Sequence, residues 1–162
     1  MRRLVVTSMV MLLVLLIPVS AEETGTVRLE IEALDDNTKP WYGAGDSVLL
    51  ASSIVNDGAA TSITEDPSCG VVMHVTDAAG TTVLDESATC RGQSRGLDIS
   101  TGTTALDQHA WDLTDQDGEL VSSGLYTITI ELAGSGLSAA SEVMVQQNAG
   151  IPSELILSLI HI

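Results

Sequence analysis

The sequence contains no phenylalanine, and aromatic residues make up only 2% of its 162 residues. A core built from this chain must therefore be mostly aliphatic, and we expect each of the few aromatic rings to anchor packing. These rings belong to Trp41, Tyr42, Trp111 and Tyr126.

Basic residues are scarce as well, with 6 Lys and Arg against 22 Asp and Glu and a formal net charge of −16. A surface of this sign repels the phosphates of nucleic acids and of anionic membranes. The composition therefore argues against nucleic acid as a partner and suits a secreted or cell-surface protein that must stay in solution.

The N-terminus has the features of a secretory signal. Arg2 and Arg3 precede an apolar run over residues 5–17, which is too short to span a bilayer comfortably, and small residues follow at 19–21. We predict a signal peptide over residues 1–21, the alternative being an uncleaved anchor. Cleavage there leaves four basic and all 22 acidic residues, a net charge of −18.

Only two cysteines are present, Cys69 and Cys90, with 20 residues between them. Export favours a disulfide, and closing a loop of this length stabilises a fold by roughly 3 kcal/mol. The turn motif DAAG, residues 77–80, would bring the two cysteines together as the ends of a hairpin. The alternative is a pair of buried thiols.

Short alternating segments separated by turn signals run through the chain. Val27, Leu29, Ile31 and Ala33 share one strand face, and the intervening residues are charged. Similar segments recur about eight times, and no longer stretch has helical periodicity, so we predict an all-β antiparallel sandwich or barrel. Residues 61–68 are predicted to be irregular.

Catalytic motifs are absent from the sequence. It has no GxSxG, no HExxH and no phosphate-binding glycine loop. His74 lies within a predicted strand, where we expect a structural role, and no nucleophile motif surrounds His109. We therefore predict a protein that is not an enzyme and needs no cofactor.

The segment DLTDQDGE offers several carboxylates close together, and Gly118 allows a sharp bend. It resembles part of a calcium loop but lacks the length and the distal glutamate of an EF-hand. Asp and Gly are equally typical of hairpin turns, so chain reversal without metal is the preferred interpretation. The weak calcium candidates are Asp112, Asp115, Asp117 and Glu119.

The C-terminal tail, residues 149–162, ends in LSLIHI. One reverse translation of this string is the mosaic-end adaptor that transposon-based library preparation joins to DNA fragments. Residues 157–162 are therefore interpreted as translated adaptor, with a natural apolar tail as the alternative. If the adaptor interpretation holds, the natural C-terminus is missing, and a membrane anchor or further domains could have been lost with it.

Three segments carry a family resemblance: YGAGDSVLLASSIVNDG, VVMHVTDAAGTTVLDES and WDLTDQDGELVSSGLYTITIEL. Together they resemble the BsuPI-type proteinase inhibitor domain, and the last also resembles immunoglobulin-like modules of flagellar hook-capping proteins. The resemblance implies an immunoglobulin-like β-sandwich of about seven or eight strands over residues 42–148, with residues 22–41 adding an N-terminal strand and loop. The motif positions are Gly45, Asp46, Asn56, Trp111, Asp112, Asp115, Gly118, Gly124 and Tyr126.

The resemblance implies a protein partner, and specifically a proteinase. The disulfide would bring Glu65 and Asp66 to the same end of the sandwich as Arg91 and Arg95. These four residues form the candidate recognition loop. A simpler interpretation is that the two arginines only offset neighbouring carboxylates. A structural or adhesive cell-surface module is the functional alternative; a calcium-dependent carbohydrate binder is disfavoured because aromatic residues are few.

Overall fold

A computed structural model describes residues 26–34 and 39–147. It contains nine strands and one short 3₁₀ helix, Glu86–Thr89. The predicted signal peptide, residues 1–21, and the predicted tail, residues 149–162, lie outside the described residues. The strands are β1 (Val27–Ala33), β2 (Val48–Asn56), β3 (Thr61–Glu65), β4 (Val71–Asp77), β5 (Thr82–Asp85), β6 (Arg95–Ile99), β7 (Gly102–Trp111), β8 (Gly124–Leu132) and β9 (Leu137–Val145).

The two principal sheets have the strand orders β1-β2-β7 and β5-β4-β8-β9, and every pairing within them is antiparallel. Their apolar faces pack against each other around a single hydrophobic cluster. A third sheet consists of β3 and β6 alone; along the chain, β3 follows β2 and β6 precedes β7. The molecule is thus an all-β, immunoglobulin-like sandwich, which confirms the predicted fold class.

Alternation of side chains explains why these segments form strands. In β8 the buried residues are Tyr126, Ile128, Ile130 and Leu132, and the residues between them are more exposed. The period of two places every apolar side chain of this strand on the core face of its sheet. β1 follows the same pattern, as its sequence predicts.

The segment predicted to be irregular contains a strand. Residues Thr61–Glu65 form β3 and pair with β6 in antiparallel register, from Thr61 opposite Ile99 to Glu65 opposite Arg95. The prediction was wrong because only Ile63 in this segment is a large apolar residue, so the strand depends on its partner rather than on a hydrophobic pattern.

Three of the four aromatic side chains anchor the core, as predicted. Trp111 is 1% exposed, Tyr126 6% and Tyr42 8%. The Tyr126 hydroxyl donates a hydrogen bond to the Ser122 carbonyl at 2.9 Å, the arrangement known as a tyrosine corner in immunoglobulin-like sandwiches. Trp41 departs from the prediction because it is 39% exposed and packs its ring beside Gly43.

Candidate recognition site

The predicted disulfide is present, and it joins two loops at one end of the sandwich. The sulfurs of Cys69 and Cys90 are 2.09 Å apart, and their Cα atoms are separated by 4.9 Å. Cys69 lies just before β4, and Cys90 directly follows the 3₁₀ helix after β5. Such crosslinks are typical of domains outside the reducing cytoplasm.

Asp66 is the organising residue beneath this crosslink. Its side chain is buried, and one carboxylate oxygen accepts hydrogen bonds from the Ser68 hydroxyl at 2.6 Å and the Ser68 amide at 2.9 Å. The other accepts from the Gly92 amide at 2.8 Å. Hydrogen bonds from the Ser68 hydroxyl, followed by those from backbone amides, lower the pKa of Asp66. The carboxylate therefore binds both loops in its charged form.

Glu65 and Arg95 form an ion pair across β3 and β6. Arg95 Nε donates to Glu65 Oε1 at 2.9 Å, and its Nη2 contacts the same oxygen. The Glu65 side chain is 7% exposed and the Arg95 side chain 62%. The simpler interpretation therefore holds for Arg95, which compensates a buried carboxylate.

The positions of Glu65 and Asp66 correct part of the predicted recognition site. Both lie at the expected end of the molecule, but they are only 5% and 4% exposed. Their carboxylates are occupied by hydrogen bonds within the domain, so they support the loop rather than face a partner.

Residues 90–94, here termed the crosslinked loop, lie at the disulfide end of the sandwich and are exposed to solvent beyond Cys90. Arg91, Gly92, Gln93 and Ser94 are all exposed. The Arg91 amide donates to the Ser68 hydroxyl at 2.8 Å, which fixes the backbone at that point. No carboxylate within residues 26–34 and 39–147 forms an ion pair with the Arg91 guanidinium.

The sequence analysis missed Ser68, although it carried a usable signal. Ser68 connects the two loops because its hydroxyl donates to Asp66 and accepts from Arg91. Asp-Pro-Ser is a pattern in which the carboxylate commonly bonds to the backbone two residues later.

A groove of about 570 Å³ runs beside the crosslinked loop. Its lining includes Gln93 and Ser94 of the loop and Val72, His74 and Glu131 on β4 and β8. The loop thus borders a concave surface that combines an apolar patch with ionisable side chains.

The acidic segment after Trp111 reverses the chain. Asp115 Oδ1 accepts hydrogen bonds from the Asp117 and Glu119 amides, each at 3.0 Å, and the Gly118 amide donates to the Asp115 carbonyl at 3.0 Å. Gly118 has a φ of 82°, a conformation that glycine adopts without strain. Asp112 lies apart and accepts from the Ser47 hydroxyl at 2.6 Å.

The four carboxylates of the weak calcium candidate are not gathered into one ligand set. Across the described part of the chain, one group of three potential ligands comes within 4.8 Å, and it consists of Asp66, Cys69 and Cys90. Both sulfurs of that group are in the disulfide, and the Asp66 oxygens accept the hydrogen bonds described above.

The remaining motif residues support loops and strand ends. Asp46 accepts from the Gly43 amide and from Lys39, each at 2.8 Å, and the Lys39 hydrogen bond is the main reason that its pKa is lowered. The buried Asn56 bonds to Gly58 and Ala59 in the turn after β2. Gly45 has a φ of 87°, and Gly124 begins β8.

No protein-family model matches the chain, and a search of curated proteins finds no match. Several solved structures are similar over three quarters of the chain. A β-glucosidase from Erythrobacter marinus is 16% identical at a TM-score of 0.45, and one from Listeria innocua is 14% identical at 0.43. In each case the match covers 75% of this chain and 16% of the glucosidase.

A CARDB domain from Pyrococcus furiosus is also similar, at 14% identity and a TM-score of 0.38, and the match covers 76% of this chain and 90% of that domain. At these values the similarities carry no information about activity. Separately, no helix among the described residues has the length and apolarity that crossing a membrane requires.

Proposed function

We propose that this chain is an exported, non-catalytic binding domain that presents the crosslinked loop to a proteinase, the class of partner that its resemblance to BsuPI-type inhibitors implies. The observation that carries the proposal is the anchoring of an exposed loop at three points. The disulfide holds Cys90 and Asp66 holds the Gly92 amide within the loop, and the ion pair with Glu65 holds Arg95, the residue that directly follows it.

A loop fixed in this way suits inhibition of a proteinase. Ordering a flexible loop on binding costs about 0.5–1.5 kcal/mol for each immobilised side chain, and a loop that is already ordered avoids part of that cost. If the proteinase cleaves after Arg91, the disulfide still fixes Cys90 before the break and Asp66 still holds Gly92 after it.

Arg91 suggests which proteinases to test. It is exposed, and no carboxylate of the described residues pairs with it, so its guanidinium is free to enter an acidic pocket. Proteinases that recognise basic side chains have an aspartate at the base of such a pocket. Export is supported by the predicted signal peptide and by the disulfide.

The test is inhibition of a panel of secreted serine proteinases by the full chain, with Arg91→Ser as the key variant. Replacing Arg95 as well would confound the result, because Arg95 compensates the buried Glu65. Arg28→Ser is the matched control, since it removes the same charge from the exposed surface of β1.

We expect a trypsin-like enzyme to be inhibited by the parent chain and by Arg28→Ser, and about 10-fold or more less by Arg91→Ser. Inhibition that is unchanged in Arg91→Ser removes the crosslinked loop as the binding site. Absence of inhibition across the whole panel contradicts the inhibitor proposal.

One observation favours the alternative, a structural or adhesive module of a cell-surface protein. Leu125 and Met144 face each other across β8 and β9, and they are 36% and 46% exposed. Adjacent exposed apolar side chains are common where one domain packs against another. If this surface packs against a second copy of the chain, light scattering should detect self-association, and Leu125→Ser/Met144→Ser should abolish it while leaving any inhibition unchanged.

A further inference from the structure

His74 lies on the solvent side of the four-stranded sheet, between two carboxylates that come from different strands. Asp85 of β5 is directly opposite His74 in the register of β4 and β5. Glu131 of β8 is opposite Val72, two residues along β4 and on the same face of the sheet. The imidazole is partly exposed and lines the groove beside the crosslinked loop.

Asp85 determines which imidazole nitrogen carries the hydrogen. Its Oδ1 is 3.1 Å from His74 Nδ1, and the same oxygen accepts the Ser87 amide at 2.8 Å. Because this oxygen already accepts the Ser87 amide, it acts as an acceptor toward the imidazole as well. A neutral His74 therefore has its hydrogen on Nδ1 and a free lone pair on Nε2.

Nε2 faces a second acceptor. Glu131 Oε2 is 3.8 Å from His74 Nε2, which is too far for a hydrogen bond. When the ring is neutral, a lone pair and a carboxylate oxygen point into the same space, an arrangement that is unfavourable unless a proton or a cation lies between them.

The spacing accommodates a metal ion. Zinc binds imidazole nitrogen at about 2.0–2.1 Å and carboxylate oxygen at about 2.0–2.2 Å, so a tetrahedral ion places the two ligand atoms about 3.3–3.5 Å apart. The observed 3.8 Å is a few tenths of an ångström wider, a difference that a small rotation of the Glu131 side chain closes. A carboxylate on the far nitrogen of a ligating histidine is the usual supporting contact in such sites.

We propose that His74 Nε2 and Glu131 bind a divalent transition-metal ion of the zinc class, with Asp85 as the residue that orients the imidazole. His74 and Glu131 line the groove together with Gln93 and Ser94 of the crosslinked loop. Water or a side chain of a bound partner completes the coordination there. This site is independent of the proteinase proposal, because it does not include Arg91.

Ion selectivity separates this site from the general attraction of cations to an acidic protein. Imidazole is a good ligand for zinc, copper and nickel, whereas calcium and magnesium prefer all-oxygen sites. The net charge of −16 attracts every cation to some degree. Zinc binding that survives millimolar calcium and about 0.15 M salt therefore reports a specific site.

The experiment is a zinc titration of the full chain by calorimetry near pH 7.5, with imidazole ¹⁵N spectra recorded in parallel. We expect one saturable site that shifts the His74 Nε2 resonance and is not displaced by calcium. His74→Gln should abolish this site, Glu131→Gln should weaken it about 10-fold or more, and Asp85→Asn should weaken it by about 10-fold.

Two control variants make matched changes elsewhere. His109→Gln replaces a histidine on β7, and Glu142→Gln removes one charge from β9 of the same sheet, and neither should alter zinc affinity. The proposal is overturned if His74→Gln still binds zinc as tightly as the parent, if Glu142→Gln weakens binding as much as Glu131→Gln, or if calcium displaces the ion. His74 and Glu131 are surface residues, and circular dichroism verifies that each variant is folded.

Discussion

The rings of Trp111 and Tyr126 contact each other across the core, with centroids 5.3 Å apart and planes inclined at 57°. Trp111 ends β7 in one sheet and Tyr126 lies near the start of β8 in the other, so the contact ties the sheets together. The Trp111 indole also donates to the Thr114 carbonyl at 2.8 Å, and the Tyr126 hydroxyl to Ser122. Both rings therefore also hold the loop that connects their strands.

Trp111→Ala should destabilise the fold strongly. Truncating a large buried aromatic side chain typically costs about 3–5 kcal/mol, because packing is lost and a cavity remains. Trp111 is 1% exposed, so urea unfolding followed by circular dichroism should reveal a loss of this size. Trp41→Ala is the control, and its 39% exposure predicts a much smaller change. A variant of Trp111 that is as stable as Trp41→Ala would contradict the role of the ring as a core anchor.

Tyr126 makes the fold sensitive to alkali. Burial, and to a lesser degree the nearby Asp77, raises the pKa of the phenol above its usual value near 10. The neutral phenol is the form that the fold favours, so this contribution is complete below pH 10 and is lost as the pH rises through the folded-state pKa. Tyr126→Phe should cost about 0.5–1.5 kcal/mol at neutral pH through loss of the bond to Ser122, and should reduce the loss of stability above pH 10. Thermal unfolding at pH 7 and pH 11 measures both effects.

Local patterns were sufficient to predict much of the sandwich. Alternation in β1 and β8, the turn at residues 77–80 and the two cysteines are short-range signals, and the structure agrees with each of them. The strand β3 was missed because its stability comes from pairing with β6, about 35 residues away, and not from its own apolar residues.

The site was harder to predict because its residues become neighbours only after folding. Asp66 is usually an exposed residue type, yet here it is buried and bonded to Gly92, 26 residues further along the chain. His74 and Glu131 are far apart in the sequence and become neighbours only through the pairing of β4 with β8. Leu113, buried at a φ of 59°, is a further example, since no sequence rule assigns that backbone conformation to leucine.

The Cys69–Cys90 disulfide should be formed in every molecule of the native protein. Cys69 and Cys90 are bonded, so the intact mass under non-reducing conditions should be about 2 Da below the mass after reduction, which is the mass of the two thiol hydrogens. Cys69→Ser/Cys90→Ser should lower the free energy of unfolding by roughly 3 kcal/mol, because the unfolded chain is no longer constrained. Two thiols that react with an alkylating agent before reduction would show that the crosslink does not form.

Arg91 and Arg95 should differ in their effects on stability despite their similar positions. Arg95→Ser leaves the buried Glu65 carboxylate without its charged partner. Leaving a buried polar group without its hydrogen-bond partner typically lowers the free energy of unfolding by about 1–3 kcal/mol. The exposure of the Arg95 side chain places the expected value at the lower end of that range. Arg91→Ser should change the thermal midpoint little, and equal destabilisation by the two variants would mean that the ion pair with Glu65 does not matter.

Acid should loosen the crosslinked loop through Asp66. Hydrogen bonds, chiefly from the Ser68 hydroxyl, lower the pKa of Asp66 below the value near 3.9 that it has in an unfolded chain. The sign follows directly: the stabilisation is fully present above about pH 4 and is lost as the pH falls through the folded-state pKa. Asp46 and Asp85 also have lowered pKa values, so they contribute in the same pH window.

Asp66→Asn isolates the contribution of this one carboxylate. An asparagine amide nitrogen cannot accept the hydrogen bond from the Gly92 amide, so two donors face each other if the side-chain oxygen stays with Ser68. We expect faster hydrogen exchange at the Gly92 amide, a lower thermal midpoint at pH 7 and a smaller further loss between pH 4 and pH 2 than in the parent. Asp98→Asn, which makes the same charge change on the exposed face of β6, is the control. If Asp66→Asn, Asp98→Asn and the parent all lose the same stability between pH 4 and pH 2, protonation of Asp66 contributes nothing to that loss. Asp66 then does not hold the loop.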